Sequence, residues 1–205
     1  VLTLPELSDT ALVKSKPEEL SRLLMRLQHS QPALRSLSIM TVRDGITSST
    51  DNANLGLRPA LDDFVPPDGG VGDMSLLRVG TMRLGRDFSE ERNDSMGEKR
   101  TASPSYFLPL IFRLGKGGDA VWVLAAINPD YLLSRMARYQ QTSSDWYELV
   151  RFDGHLLMSS RDGDAEESRH ALAELLPEIQ HQEIGTHIDK WLTAYRSSSR
   201  YPFFV

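Results

Sequence analysis

The sequence predicts an α+β protein in two modules, each an antiparallel sheet with flanking helices, preceded by an N-terminal helix. Three observations predict it. First, Val121-Trp122-Val123-Leu124-Ala125-Ala126-Ile127 is too short to span a membrane and rich in β-branched and aromatic residues, so it reads as a fully buried strand. Second, the glycine-rich turn Leu114 to Asp119 joins it to an earlier strand, Tyr106 to Arg113, and Asn128-Pro129-Asp130 breaks it before a helical stretch, Tyr131 to Tyr139. Third, a strand, Asp-Gly, strand, Ser-Ser pattern occurs twice, at Asp44-Gly45 with Ser48-Ser49 and at Asp153-Gly154 with Ser159-Ser160. The expected modules are residues 1–140 and 141–205.

In chain order, Pro5 argues against a helix from the first residue. Pro17-Glu18-Glu19 then opens one, with proline in its first turn and acidic residues where the helix dipole favours them. Leu20, Leu23, Leu24 and Leu27 fall on one face of it. Leu34 to Val42 alternates as a half-buried strand, and Ile46 to Thr50 returns after the Asp-Gly turn. Asp51 to Gly72 is a long loop with a helical turn expected over Pro59 to Phe64, and such a loop is a lid, a binding loop or disorder. Leu76 to Leu84 is one alternating strand, with Leu77, Val79, Thr81 and Arg83 on one face and Arg78, Gly80, Met82 and Leu84 on the other. Arg86 to Ser103 is polar, without periodicity, and reads as a loop. Asn128 can cap the helix that Pro129 starts. The second module pairs Trp146 to Phe152 with His155 to Ser160 and adds a helix over Asp164 to Gln180, with Ala171, Leu172, Leu175 and Leu176 as its apolar face. It closes with strands at Trp191 to Arg196 and Arg200 to Val205.

Composition excludes several classes. A net charge of -5 with no long basic run argues against nucleic acid as a partner. The chain has no cysteine, so disulfides, a catalytic thiol and thiolate zinc sites are out. No apolar run approaches a membrane span. The chain begins at Val1 and stops in the apolar run Tyr201-Pro202-Phe203-Phe204-Val205, so we expect a fragment of a longer protein with its membrane segments outside it.

Taken together, these motifs resemble the double Cache, PAS-like extracytoplasmic sensor regions of bacterial membrane signalling proteins, most closely those of diguanylate cyclases. The likeness rests on Asp44-Gly45 with Ser48-Ser49, Val79-Gly80, Leu108 to Arg113, Gly117-Gly118, Val121 to Leu133, Leu149 to Ser160 and Tyr201 to Val205. It implies an N-terminal helix leaving the membrane, a second membrane helix and an output domain beyond this chain, a periplasmic location and a homodimer. Amino-acid-binding relatives carry an aspartate on the central strand, where this chain has Ala126, so that ligand does not carry over.

Enzyme signatures are missing: there is no Gly-x-Ser-x-Gly elbow, P-loop or dinucleotide fingerprint. His181, Glu183 and His187 could be read as a metal site, but polar residues around Gly185 in a loop or helix end are the simpler reading. Asp62 and Asp63, or Asp87 with Glu90 and Glu91, could be acid-base carboxylates, and solvated loop charges are the simpler reading. The ligand-binding set expected is Arg78, Arg83, Tyr106, Trp122 and Asn128. An arginine on a strand of a mostly apolar sheet can hold a carboxylate or phosphate with two parallel bonds, and aromatic residues and single polar groups near strand ends line pockets. Against this, the arginines can point to solvent, Tyr106 and Trp122 can be core, and Asn128 only a cap. The expectation is a non-catalytic sensor with no cofactor, taking a small, anionic ligand. The alternatives are the same sensor on a histidine kinase or chemoreceptor, a spacer with an empty pocket, or a small periplasmic hydrolase using the Asp51 to Gly72 loop.

Overall fold

The computed structural model describes residues 16–60, 77–91, 105–114, 121–142, 144–160, 175–179, 181–188, 192–197 and 203–205. They are α+β, with antiparallel strand pairing throughout. The chain divides into two compact units, with the later boundary at Tyr131/Leu132.

Unit one opens with α1, Pro17–His29. Pro17 sits where its missing N–H costs nothing, Glu18 and Glu19 lie at the positive end of the helix dipole, and Arg26 and His29 lie at the negative end. Leu20, Leu23 and Leu24 are buried. Leu27, expected on the same face, is 45% exposed.

The sheet follows as β1 (Leu34–Thr41), β2 (Gly45–Ser49), β3 (Leu77–Val79), β4 (Arg83–Leu84), β5 (Tyr106–Leu114) and β6 (Val121–Ile127). Its order is β2-β1-β6-β5-β3, with β4 also on β5. The apolar run expected at the centre is there: β6 lies between β1 and β5, opposing Ile39 to Val123 on one side and Phe112 to Val123 on the other. The turn 115–120 lies outside the described residues. A short 3-10 turn, Asn52–Asn54, follows β2. The expected turn over Pro59 to Phe64 falls mostly outside the described residues.

Directly opposed residues in an antiparallel ladder share a face. One face carries Leu37, Ile39, Val123, Ala125, Leu110, Phe112, Leu77 and Val79. The helix α1 lies on this side, for Ser48, opposite Ile39, donates its hydroxyl to the Pro17 carbonyl at 3.0 Å. The other face carries Ser36, Ser38, Met40, Ile46, Trp122, Leu124, Ala126, Phe107 and Ile111.

Two expectations about this sheet are corrected. The strand β1 is not half-buried: Ser36, Ser38 and Thr41 are as buried as Ile39, because both faces of the sheet are covered. Nor is Leu76 to Leu84 one strand. It breaks after Val79, and β4 resumes one residue out of register, with Val79 opposite Leu110 but Arg83 opposite Phe107. Pro109 lies in this gap and has no N–H for the ladder, although its carbonyl still accepts from Gly80 at 2.9 Å. A one-residue slip inverts the faces, so Arg78 and Arg83 share a face instead of opposing each other.

The helix α2, Pro129–Met136, follows β6 and tightens into a 3-10 turn, Ala137–Tyr139.

Unit two contains β7 (Glu148–Arg151), β8 (Leu156–Ser159), a helical stretch over 175–179, β9 (Ile184–Ile188), β10 (Leu192–Arg196) and β11 (Phe203–Phe204). The second Asp-Gly hairpin is present: Arg151 and His155 pair at 2.8 Å, and Gly154 adopts φ 85, as Gly45 adopts φ 75 in the first. The helix start expected at Asp164 lies outside the described residues.

Residues 184–188, read as a loop or helix end, are instead an edge strand. Ile184, Thr186 and Ile188 alternate with Gly185 and His187, and the latter pair faces β10 partners Tyr195 and Thr193. Within this unit β11 pairs with β7, and Arg196 and Val205 exchange both backbone bonds, at 2.8 and 3.0 Å. The sheets β8-β7-β11 and β10-β9 meet through this one pair, and along it the strand order matches that of β2-β1-β6-β5-β3. The core here is Val150, Leu175, Ile179 and Tyr195, with Phe152, Leu156 and Leu176 against it.

Candidate functional site

The face of the first sheet away from α1 is enclosed by two segments. Residues 56–57 join the sheet edge, where Gly56 donates to the Ile46 carbonyl and Ile46 to that of Leu57. Residues 85–91 bring in Phe88, whose ring meets Phe107 edge to face, centroids 5.2 Å apart. Met40, Ile46, Phe88, Phe107, Ile111, Trp122, Leu124 and Ala126 form one apolar cluster, with Leu57 against it.

Three arginines belong to this face. Arg78 opposes Ile111, Arg83 opposes Phe107, and Arg113 opposes Trp122. Arg83 is ion-paired to Glu91, and its side chain is 13% exposed. Arg113 sets its guanidinium carbon 5.4 Å from the Trp122 ring centroid, within cation–π range. Trp122 is 9% exposed, and its Nε1–H has no hydrogen-bond partner among the described residues. A buried donor left in that state is a ready contact for an acceptor.

The enclosed face also has a polar corner. Asp87 is 3% exposed; the solvated loop carboxylate expected from sequence is a buried one. It accepts from Asn54 Nδ2 at 2.9 Å and from the Ser89 amide and hydroxyl at 3.0 and 2.7 Å. Burial alone would raise its pKa, but the bonds from Ser89 and Asn54 hold it below the ordinary aspartate value. Asn54 is fully buried, and its Oδ1 has no hydrogen-bond partner among the described residues. Sequence periodicity could not find this corner, since neither segment has any.

At the ends of the central strands a fourth arginine gathers the remaining groups. Arg35 donates to the Tyr106 carbonyl and to Asn128 Oδ1 at 2.8 Å, and lies 3.4 Å from Asp130. Burial lowers its pKa while Asp130 opposes that shift. The side-chain oxygen of Asn128, proposed as a helix cap, thus goes to Arg35.

The expected residues do not converge on one point. Arg78, Arg83 and Trp122 share the enclosed face. Tyr106 opposes Leu84, on the other face, is 37% exposed and supplies its carbonyl. Asn128 lies six residues beyond Trp122, about 20 Å at the rise of a strand. Arg35, Arg113, Asn54 and Phe88 were missed, and Asp87 was named only as a carboxylate expected to be solvated.

Asp62 and Asp63 lie outside the described residues. His187 Nδ1 is 3.4 Å from Glu178 and His181 bonds the Pro177 carbonyl. Among the described residues no three His, Asp or Glu side chains are grouped to hold a metal. No helix among them is long and apolar enough to cross a membrane.

No family model and no curated protein matches the chain. Solved structures do. The extracellular domain of the candidate histidine kinase rpHK1S-Z16 is similar at TM-score 0.55 and 18% identity, over 95% of this chain and 79% of that one. The extracellular domain of the candidate histidine kinase vpHK1S-Z8 is similar at TM-score 0.51 and 12% identity, over 93% and 76%. A domain of a candidate sensory box/GGDEF family protein from Vibrio parahaemolyticus follows at TM-score 0.47 and 14% identity, over 93% and 77%. The resemblance to an extracytoplasmic, Cache-like sensor region is borne out at the level of fold.

Proposed function

We propose that this chain is the extracytoplasmic sensor domain of a transmembrane signalling protein, binding a small anionic molecule without transforming it. The observation that carries the reading is the enclosed face of the first sheet, where Arg78, Arg83 and Arg113 stand among apolar and aromatic side chains. Arginine there can hold a carboxylate or phosphate in a fork while the rings exclude water. Trp122 Nε1–H supplies a further donor. Tyr106 and Asn128, joined through Arg35, act at the ends of the central strands, positioning the start of α2.

The domain is two modules, 1–140 and 141–205, and the repeated strand path supports that count. The first carries the ligand and the second passes the signal on. Binding shifts an equilibrium between two arrangements by no more than the ligand's differential affinity for them. The motifs in the sequence favour a diguanylate cyclase as output. A histidine kinase is the second reading, favoured by the names of the two similar proteins. The partners in this reading are the ligand, flanking membrane helices and a second copy of the chain.

A thermal-shift screen of organic acids, amino acids, amines and nucleotides tests it. The reading expects a stabilising anion whose effect is lost in Arg83→Ala. Turnover of an ester or glycoside, abolished by changing Asp62 or Asp63, would replace the sensor by a hydrolase.

A further inference from the structure

We propose that Gly85 to Glu91 is a strap closing the enclosed face of the first sheet, with Phe88 as its plug and the Asp87–Asn54 hydrogen bond as its latch. A ligand then enters by displacing the Phe88 ring. This rests on reading that face as the ligand site.

The segment is built as a unit. The Asp87 carboxylate takes both donors of Ser89, the Glu90 amide donates to the Asp87 carbonyl at 3.2 Å, and the Arg86 amide donates to Glu90 Oε2 at 3.2 Å. These bonds shape the closed strap, and its opening breaks them. At its start Gly85 adopts φ 122, and a Cβ there would lie 2.5 Å from the Glu90 carbonyl oxygen, so the turn admits no side chain. Small residues at the end of an element are where such motions hinge.

What holds the unit down is different in kind. Asn54 Nδ2 reaches Asp87 Oδ2 from the other covering segment, at 2.9 Å, so one bond joins the two covers. Phe88, 6% exposed, belongs to the same apolar cluster as Phe107, Ile111, Trp122 and Leu124. Lifting it uncovers the Phe107 ring, which it meets edge to face, and opens that end of the apolar cluster. The Asn54 amide oxygen, buried with no partner among the described residues, is a group that gains from an arriving donor.

Hydrogen exchange followed residue by residue tests the strap without any ligand. In the wild type the Ser89 and Glu90 amides exchange at least about 100-fold faster than those of Leu124 and Ala126, through a local opening. Asn54→Ala, which touches neither amide's own bond, speeds them about tenfold further and leaves Leu124 unchanged. Exchange of Ser89 and Glu90 only at the rate of the β6 amides would overturn the proposal. As a second measurement, Phe88→Ala that still melts cooperatively takes up the dye 1-anilinonaphthalene-8-sulfonate at least about tenfold more tightly than wild type. A folded Phe88→Ala with no gain in dye binding would overturn it, and exchange decides alone if that variant does not fold. A small molecule that stabilises wild type and Phe88→Ala equally would remove the strap and keep the sensor. Strap opening with no hit in the screen would do the reverse.

Discussion

Arg35 Nη2 donates to Asn128 Oδ1 at 2.8 Å, joining the start of β1 to the residue before α2 across 93 positions of sequence. The same guanidinium serves the Tyr106 carbonyl, so one side chain closes the end of three strands. Its fork geometry is what lets it do so.

Arg35→Met removes both donations while keeping the apolar stem. The expected loss is about 0.5–1.5 kcal/mol, the net worth of ordinary hydrogen bonds, because one acceptor is exposed and the other only part-buried. Urea unfolding followed by circular dichroism measures it. Arg35→Lys should recover little, because an ammonium cannot reach two acceptors in a plane.

Asp87 carries a pH dependence whose sign follows from its bonds. Its pKa is depressed in the folded chain by Ser89 and Asn54, against burial. The stability it contributes is therefore fully present above the unfolded aspartate value, near pH 4, and is lost as pH falls through the lower folded value. Asp87→Asn should cost about 1–3 kcal/mol at pH 7. That difference from wild type should shrink as the pH is lowered below about 4. Thermal unfolding of both proteins between neutral and acid pH gives the two curves, and parallel curves would show that the carboxylate is not held this way.

The two Asp-Gly turns should differ in their tolerance of a methyl group. Both glycines have positive φ, which costs an ordinary residue roughly 1–2 kcal/mol. At Gly154 the added Cβ would meet the end of Leu176 at 3.2 Å, and that side chain can move. At Gly45 it would lie 2.7 Å from the Leu57 carbonyl, which holds the Ile46 amide. Gly45→Ala should therefore lower the melting temperature more than Gly154→Ala. Equal losses would contradict the packing of residues 56–57 against β2.

The sheet of the first unit was legible wherever a run had one clear period. The strands β5 and β6, both hairpins and the proline-led helix α1 were all readable from local signals. Pairing register was not. Pro109 looks like any residue of an apolar strand, yet it stands at the point where β3 gives way to β4 and the arginine faces invert. The strand β9 carried its own signal in Ile184, Thr186 and Ile188, but Gly185 and the two histidines masked it. Asp87 and Phe88 sit in a stretch with no periodicity, and their burial is a tertiary fact. Arg35 read as one polar position on an alternating strand, because its partners lie 71 and 93 residues away.

The sharpest test is the indole N–H resonance of Trp122 in a titration with a stabilising small anion from the screen. Binding on the enclosed face should shift that resonance in step with occupancy and leave those of Trp146 and Trp191 in place. A stabilising compound that moves Trp146 or Trp191 and leaves Trp122 untouched would put the ligand elsewhere and contradict the account.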